Sequence, residues 1–253
     1  MSIPINWSVS EVASATSSSD IARAQIDAAS GSAEGYVAIV GEQTAGRGRS
    51  GRLWVSKSGD GLYMSIVIRP QRSRQEWPSL SFIASLSVCA AIEDVAPSLK
   101  PQLKWPNDLL LNGKKLGGIL LEAYDDYVII GCGLNLKNAP ELDDPDWQAI
   151  DLDQVGASDV TPRQLADAIL SRLADYYQIW QDTGASALLA RWQDKANLIG
   201  REMQVRINDN IVSGCCESLG PDGSLVLRGK ADEMHHITAG DVLVMGELDA
   251  ARH

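Results

Sequence analysis

Arginine and glycine alternate in the segment 41–54, which reads G-E-Q-T-A-G-R-G-R-S-G-R-L-W. Glycines let backbone amides approach an anion closely, and guanidinium groups grip phosphate or carboxylate through paired hydrogen bonds. The segment lacks the G-K-[ST] ending of a Walker loop and a helix pattern directly after it. It therefore predicts an anion-binding loop. The alternative is a basic surface loop, mobile because its arginines repel one another.

The segment 103–122 carries polar side chains around a turn. Lys104, Asn107 and Asp108 lie beside a proline, and Asn112-Gly113 predicts a hairpin whose returning strand begins near Lys115. Two glycines follow that lysine and leave a gap, which places the lysine well for contact with a ligand. The alternative is an ordinary edge hairpin with charged ends. A third segment, G-C-G-L-N at 131–135, is weak evidence of a site by itself.

In this order and at this spacing, the three segments resemble the biotin protein ligases. The matching motifs are Q-x-x-G-R-G-R-x-G-R-x-W, K-W-P-N-D followed by K-L-G-G-I-L, and G-x-G-x-N, and the resemblance covers about residues 8–245. It implies a ligase that uses ATP and Mg²⁺ to convert biotin to biotinyl-5′-AMP. The same enzyme would then transfer biotin to a lysine of a biotin carboxyl carrier domain, as in acetyl-CoA carboxylase.

The resemblance also implies roles for individual residues. Arg47 and Lys115 would be the catalytic cations, between the biotin carboxylate and the α-phosphate. Biotin would contact Ser17, Ser18, Ser19, Gln43, Arg47, Gly48, Arg49, Lys115 and Gly118. ATP and the adenylate would contact Arg49, Arg52, Trp54, Lys104, Asn107 and Asn135. The family has Asn where Ser19 stands, and Asp108 would either hold Mg²⁺ or pin Lys104.

The elements that position these residues follow from hydrophobic spacing and turn signals. A strand, a serine-rich turn and a helix occupy 8–30, and further strands are predicted at 36–40, 62–69, 103–111, 115–123 and 127–136. Helices are predicted at 78–96, 161–181 and 184–197, and the acidic stretch 138–160 is expected to be solvated surface. Five short strands follow residue 200.

These elements predict an α/β (α+β) fold with two domains. Residues 1–200 would form a mixed sheet with helices, resembling the core shared by biotin ligases and class II aminoacyl-tRNA synthetases. Residues 201–253 would form a small SH3-like barrel.

Composition limits the partners. The 253 residues carry a net charge of −11, yet residues 40–115 hold 11 Lys/Arg against 6 Asp/Glu. A local positive excess in an acidic chain suits a small anionic ligand better than nucleic acid. About ten residues precede the first predicted strand, too few for the DNA-binding module of the family's bifunctional members. We therefore expect no nucleic acid partner.

Cysteine spacing and hydropathy indicate the cellular compartment of the protein. Four cysteines without C-x-x-C spacing and three histidines argue against a zinc site, and the N-terminus lacks a signal pattern. We expect a cytoplasmic protein without a membrane span, and a homodimer through a sheet edge stays open. The alternative functions are a lipoate or octanoate ligase or transferase on the same core, and a non-catalytic biotin-binding regulator.

Overall fold

A computed structural model describes residues 5–142 and 148–248, with side chains as far as Leu243. Seven strands form the larger sheet: β1 (Ser8–Ala15), β2 (Tyr36–Gln43), β3 (Gly61–Ile68), β4 (Gln102–Lys104), β5 (Asp108–Leu111), β6 (Lys114–Tyr124) and β7 (Tyr127–Asn135). Their order is β1-β2-β3-β7-β6-β5-β4. β1 pairs with β2 in parallel, whereas the other neighbours are antiparallel. The predicted mixed sheet with helices is confirmed.

Four helices cover this sheet: α1 (Ser18–Ala28), α2 (Leu80–Val95), α3 (Pro162–Thr183) and α4 (Ser186–Ala196). α2 and α3 pack on one face over the main core, which includes Met64, Ile66 and Ile130. α1 packs on the opposite face through a small cluster around Ala22, Val67 and Ile129. Side chains alternate between faces along a strand, so only part of this second face is covered by apolar contacts.

Local chemistry sets where the helices begin. The Ser17 side chain caps α1, and Thr161 with Gln164 forms a capping box at the start of α3. The helix predicted from residue 78 begins instead at Leu80, after a 3₁₀ turn at Arg74–Ser79. By length and composition the stretch Arg74–Val95 could span a membrane, but 67% of its most apolar window is buried inside the protein, as in a core helix.

The strand predicted at 103–111 is wrong in one respect, because the chain there folds into two strands. β4 and β5 pair antiparallel around a turn at residues 105–107, and Lys104 lies opposite Asp108. Proline has no N–H to donate, so it cannot continue a regular ladder. The turn therefore presents Asn107 beside the middle of β6.

The acidic stretch 138–160 was expected to be solvated surface, and this is wrong for its second half, where Ile150, Asp151, Leu152, Ala157 and Val160 are buried. Asp151 is only 1% exposed, and its carboxylate accepts hydrogen bonds from the backbone amides of Ala139 and Gln154. Three further aspartates of this stretch lie outside the described residues. Asp151 thus holds the returning chain against the end of the sheet.

Five antiparallel strands form the C-terminal sheet: β8 (Arg201–Ile207), β9 (Asn210–Leu219), β10 (Leu225–Arg228), β11 (Met234–Ile237) and β12 (Asp241–Leu248). Their order is β11-β10-β9-β8-β12, and the SH3-like closure stays a prediction. The β9–β10 turn docks on the N-terminal part of the chain, because Trp105 Nε1 donates to the Gly223 carbonyl at 3.0 Å and Phe82 packs against Gly223.

Candidate active site

On the side of the larger sheet that carries α1, the helix leaves part of the sheet uncovered, and the strand residues there have small side chains or none. Ser65 on β3 pairs with Gly131 on β7, and Gly118 on β6 pairs with Gly133 on β7. Alternation places all four on the face that α1 covers. The Trp54 indole lies on this floor, since a Cβ on Gly133 would come within 2.6 Å of its ring. We call these four positions the glycine floor.

Hydroxyl and amide groups meet at the α1 end of the glycine floor. Gln43 Oε1 accepts hydrogen bonds from the Ser18 amide at 2.8 Å and from the Ser17 and Ser18 hydroxyls. The Ser65 hydroxyl lies 2.7 Å from that of Ser18 and 3.2 Å from that of Ser19. The structure therefore brings the predicted serines and Gln43 into one neutral polar cluster.

Arg47 lies beside this cluster and is held by two carboxylates. Its Nη1 is 2.8 Å from Asp20 Oδ1, and its Nε is 3.6 Å from Glu122 Oε1. Arg23 approaches the same Glu122 oxygen at 2.5 Å. Burial would raise the pKa of Asp20, but hydrogen bonds from Thr16 and Arg47, with the Arg47 charge, hold it below its ordinary value.

Several buried polar atoms in and around this network make no hydrogen bond. Among the described residues, the buried side-chain nitrogens and oxygens that make no hydrogen bond are Arg23 Nε, Arg47 Nε, Arg47 Nη2, Trp54 Nε1 and Glu122 Oε2. Leaving such a group unsatisfied costs about 1–3 kcal/mol, so native proteins rarely do so without a reason. Their concentration around one floor marks it as a ligand site.

Arg49 and Arg52 turn the other way, toward the C-terminal sheet. Arg49 donates to Asn107 Oδ1 at 3.2 Å and to the Gly240 carbonyl at 3.4 Å, and Arg52 forms an ion pair with Asp241. Burial lowers the pKa of Arg49, and the charge of Asp241 partly offsets this. The expected repulsion between the loop arginines is therefore offset, because each has its own polar or acidic partner on another element, although the charge of Arg52 still contributes to the lowered pKa of Arg49.

The loop itself is folded back as a small hairpin. The Gly48 amide donates to the Arg52 carbonyl at 2.8 Å, and the Trp54 amide donates to the Gly46 carbonyl at 2.9 Å. Arg47 and Leu53 form an isolated antiparallel bridge. This fold brings the indole of Trp54 down onto the glycine floor.

Lys115 lies at the far end of the floor. Its Nζ is 2.8 Å from Asp108 Oδ1 and 5.9 Å from the centre of the Trp54 ring, and Gly118 faces the same carboxylate. Glu122, the Arg47 partner, stands four residues along β6 from Gly118, which is about 13 Å at 3.3 Å per residue. The structure therefore groups Lys115 with Arg49 around Asp108 and Asn107, whereas Arg47 pairs with Asp20 and Glu122.

Of the remaining predicted nucleotide contacts, Lys104 and Asn135 are buried and Asn107 is half-buried. Lys104 is 7% exposed and lies opposite Asp108. Asn135 is 5% exposed, and its Nδ2 donates to the carbonyls of Ile150 and Lys115 at 3.2 and 3.5 Å. Asn107 Nδ2 donates to the Ile119 carbonyl. Both asparagine amides thus hold the strand that carries Lys115, and their contacts with adenine stay predictions.

Asp108 supplies limited support for a magnesium ion. The described residues contain no group of three or more His, Cys, Asp or Glu side chains that could hold a metal, and Lys115 engages one Asp108 oxygen. Mg²⁺ is commonly held by one or two carboxylates together with substrate phosphates. The donor set therefore fits an ion that arrives with ATP.

Sequence reasoning missed three carboxylates that hold the loop, namely Asp20, Glu122 and Asp241. It also missed Arg23, which pairs with Glu122, and Ser65, which contacts Ser18 and Ser19. One signal was available, because Gly118, Leu120 and Glu122 alternate along a strand and must share its face. Asp241 lies 189 residues from Arg52, and no local pattern joins the two.

The close contact between Trp54 and the floor leads to a testable expectation. Gly133→Ala should displace the indole and lower adenylate formation by about tenfold, since 2.6 Å leaves no room for a Cβ. Trp54→Ala removes the clash, so the two changes should be strongly non-additive in a double-mutant cycle. Additive losses in pyrophosphate release would show that Gly133 does not act through Trp54.

The ion pair between the loop and the C-terminal sheet can be tested by proteolysis. Asp241→Ala should speed trypsin cleavage after Arg49 and Arg52 several-fold, because it removes the partner of Arg52. Asp232→Ala, which removes an exposed carboxylate from the same sheet, serves as the control. Equal cleavage of the two variants, quantified by mass spectrometry, would contradict a holding role for Asp241.

Comparison with known proteins identifies the family of this chain. The model of the biotin/lipoate A/B protein ligase family matches residues 13–135. The biotin–[acetyl-CoA-carboxylase] ligase of Mycobacterium tuberculosis is 32% identical over 214 residues, covering 83% of this chain and 79% of that protein. The bifunctional ligase/repressor of Bacillus subtilis is 34% identical over 202 residues, 77% of this chain, and the match spans only 62% of its length.

Solved structures show the same fold. A biotin protein ligase from Aquifex aeolicus in complex with biotin and ATP has a TM-score of 0.78 at 23% identity, covering 93% of this chain and 97% of that one. A biotin protein ligase from Leishmania major in complex with biotinyl-5-AMP has a TM-score of 0.66 at 28% identity, covering 91% and 98%.

Proposed function

Because the chain belongs to the biotin/lipoate A/B protein ligase family, we propose that it is a biotin–[biotin carboxyl carrier protein] ligase. It activates biotin with ATP and then attaches it to a lysine of a carrier domain of acetyl-CoA carboxylase or a related carboxylase. One observation carries the proposal: a neutral polar cluster and a group of cations lie at opposite ends of the glycine floor. Biotin has the matching polarity, with a neutral ureido ring and an anionic carboxylate.

In the first step, a carboxylate oxygen of biotin attacks the α-phosphorus of ATP. A new O–P bond forms, the bond to the β-phosphate breaks, and pyrophosphate leaves. Both reactants are anionic, so Lys115 and Arg49 would stabilise the charge that concentrates between them. Mg²⁺ bound with ATP would neutralise phosphate charge, with Asp108 as its protein ligand.

In the second step, the neutral amine of the acceptor lysine attacks the carbonyl carbon of the mixed anhydride. The C–N bond forms, the C–O bond to phosphate breaks, and AMP and a proton leave. The anhydride is sensitive to water, so the folded loop with Trp54 would act as its cover. Arg47 would contact the biotin carboxylate or the adenylate through its Nε and Nη2, which make no hydrogen bond in this structure.

The polar cluster favours biotin over lipoate. Ser17, Ser18, Ser19, Gln43 and Ser65 offer donors and acceptors suited to a ureido group, whereas the dithiolane ring of lipoate has no such groups. Ser19 lacks the amide of the family's Asn, and the neighbouring Ser65 hydroxyl adds another polar group at this position.

We further propose a cytoplasmic enzyme with a catalytic domain at 1–200 and a separate domain from 201.

Pyrophosphate release tests this function. The chain should release pyrophosphate with ATP and biotin, but not with ATP and lipoate or octanoate, and should then label a purified carrier domain with biotin. A non-catalytic biotin-binding regulator would bind biotin without release. If the chain releases pyrophosphate with ATP and lipoate but not with ATP and biotin, it belongs to the lipoate ligases of the family.

A further inference from the structure

Both backbone groups of Lys115 bond to one short segment that lies outside the regular strands. The Lys115 N–H donates to the Gln148 carbonyl at 2.8 Å, and the Lys115 carbonyl accepts from the Ile150 N–H at 2.9 Å. β7 pairs with β6 from Gly117 onward, so this segment takes the place of a neighbouring strand beside Lys115. We call residues 148–152 the bridging segment.

The bridging segment is also bonded to the end of β7. The Leu152 N–H donates to the Asn135 carbonyl at 3.3 Å, and the Ile150 carbonyl accepts from Asn135 Nδ2 at 3.2 Å. The segment therefore lies between the start of β6 and the end of β7 and holds both. The position of the Lys115 main chain relative to β7 depends on where this segment lies.

Asp151 anchors the bridging segment near its centre. The side chain is buried, and its Oδ2 accepts hydrogen bonds from the Ala139 N–H and from Gln154 Nε2, each at 2.8 Å. Its Oδ1 accepts from the Gln154 N–H at 2.9 Å. An ionised carboxylate only accepts hydrogen bonds, so both of its oxygens can serve these three donors, and such bonds offset the cost of burying the charge. The carboxylate thus ties the bridging segment to the chain on both sides of it.

We propose that Asp151 is a positioning residue for adenylate formation. It fixes the bridging segment, and the segment fixes the main chain of Lys115, whose Nζ lies 2.8 Å from Asp108 Oδ1. A displacement of about 1 Å at a reacting group can cost about 10²-fold in rate, so the main-chain position of this lysine matters for the reaction. The inference rests on the proposed function and adds to it a residue that the proposed mechanism does not use.

Three substitutions test this role. Asp151→Asn keeps the size of the side chain but places an NH₂ group where an oxygen accepts a hydrogen bond. Gln154→Ala removes one donor from an exposed position and leaves the carboxylate in place, so it carries the test if Asp151→Asn fails to fold. Asp159→Asn is the matched control, because it removes the same charge from an exposed position in the same acidic stretch.

The kinetic test uses pyrophosphate release at saturating biotin and ATP. Asp151→Asn should lower kcat at least about tenfold and Gln154→Ala about threefold, with Asp159→Asn near wild type. Biotin affinity, measured by titration calorimetry, should not change, since the polar cluster lies on β2, β3 and α1. In a Lys115→Ala background, Asp151→Asn should cause no further loss of kcat. An equal loss in both backgrounds would overturn the proposal, because it would show that Asp151 does not act through Lys115.

Amide hydrogen exchange measures the same positioning without any activity. Asp151→Asn should speed exchange of the Lys115 amide at least about tenfold and leave the amides of β3 unchanged. Unchanged exchange at Lys115 would overturn the proposal even in an active enzyme, and faster exchange throughout β3 would show only general destabilisation and would also overturn it. If the wild type releases no pyrophosphate with biotin and ATP, the proposed function fails, and the role of Asp151 in the reaction fails with it.

Discussion

Replacing Lys115 with alanine should slow biotinyl-adenylate formation by about 10²–10³-fold, the usual loss when a preorganised donor to developing charge is removed. Lys115 ends the glycine floor opposite Asp108, and its Nζ also faces the Trp54 ring. Without it, Asp108 would direct an unpaired negative charge at two anionic reactants. The loss should therefore appear in kcat as well as in the KM for ATP.

A structural role for Lys115 would give a different result. Its side chain is 26% exposed, so the pair with Asp108 should contribute under about 1 kcal/mol to stability. Lys195→Ala is the matched control, because Lys195 forms a 2.8 Å pair with Glu93 at similar exposure, away from the floor. A large fall in Tm with pyrophosphate release retained would assign Lys115 to the framework.

Arg47→Ala should lower kcat/KM for biotin by about 10²–10³-fold. Arg47 has two buried nitrogens without hydrogen bonds, and it pairs with Asp20 and, beside Arg23, with Glu122. Its loss leaves Asp20 without this ion pair beside the path of an anionic substrate. The sequence predicts that Arg47 bridges the biotin carboxylate and the α-phosphate of ATP. In that role, much of the loss should lie in kcat.

Steady-state kinetics at saturating biotin and ATP decide this point. Arg172→Ala is the matched control, since Arg172 pairs with Asp94 at comparable exposure and touches no part of the floor. Near-wild-type kcat with a raised KM for biotin would restrict Arg47 to binding. Near-wild-type kcat and KM would remove it from the site.

The two ends of the site depend on different parts of the chain. The polar cluster is built from β2, β3 and the first turn of α1 alone. The cation end also depends on the C-terminal sheet, through Gly240 and Asp241. Substitutions that disturb the C-terminal sheet should therefore weaken ATP binding more than biotin binding.

Short-range patterns determined the elements and the segments that carry chemistry. The Asn112-Gly113 turn, the capped start of α3 and the glycine-rich strand β7 each depend on residues a few positions apart, so they are legible without tertiary contacts. The resemblance of three spaced motifs likewise identified the family. The serine run and Gln43 were placed correctly together.

Only the tertiary structure decided which charges meet. Arg52 pairs with Asp241 across 189 residues, and Glu122 joins Arg23 and Arg47 from strands and helices distant in sequence. Asp151 is buried because the returning chain supplies backbone donors that no local pattern announces. Charge alone predicted repulsion within the loop, and long-range partners offset it, because electrostatic energy depends on distance in space and not along the chain.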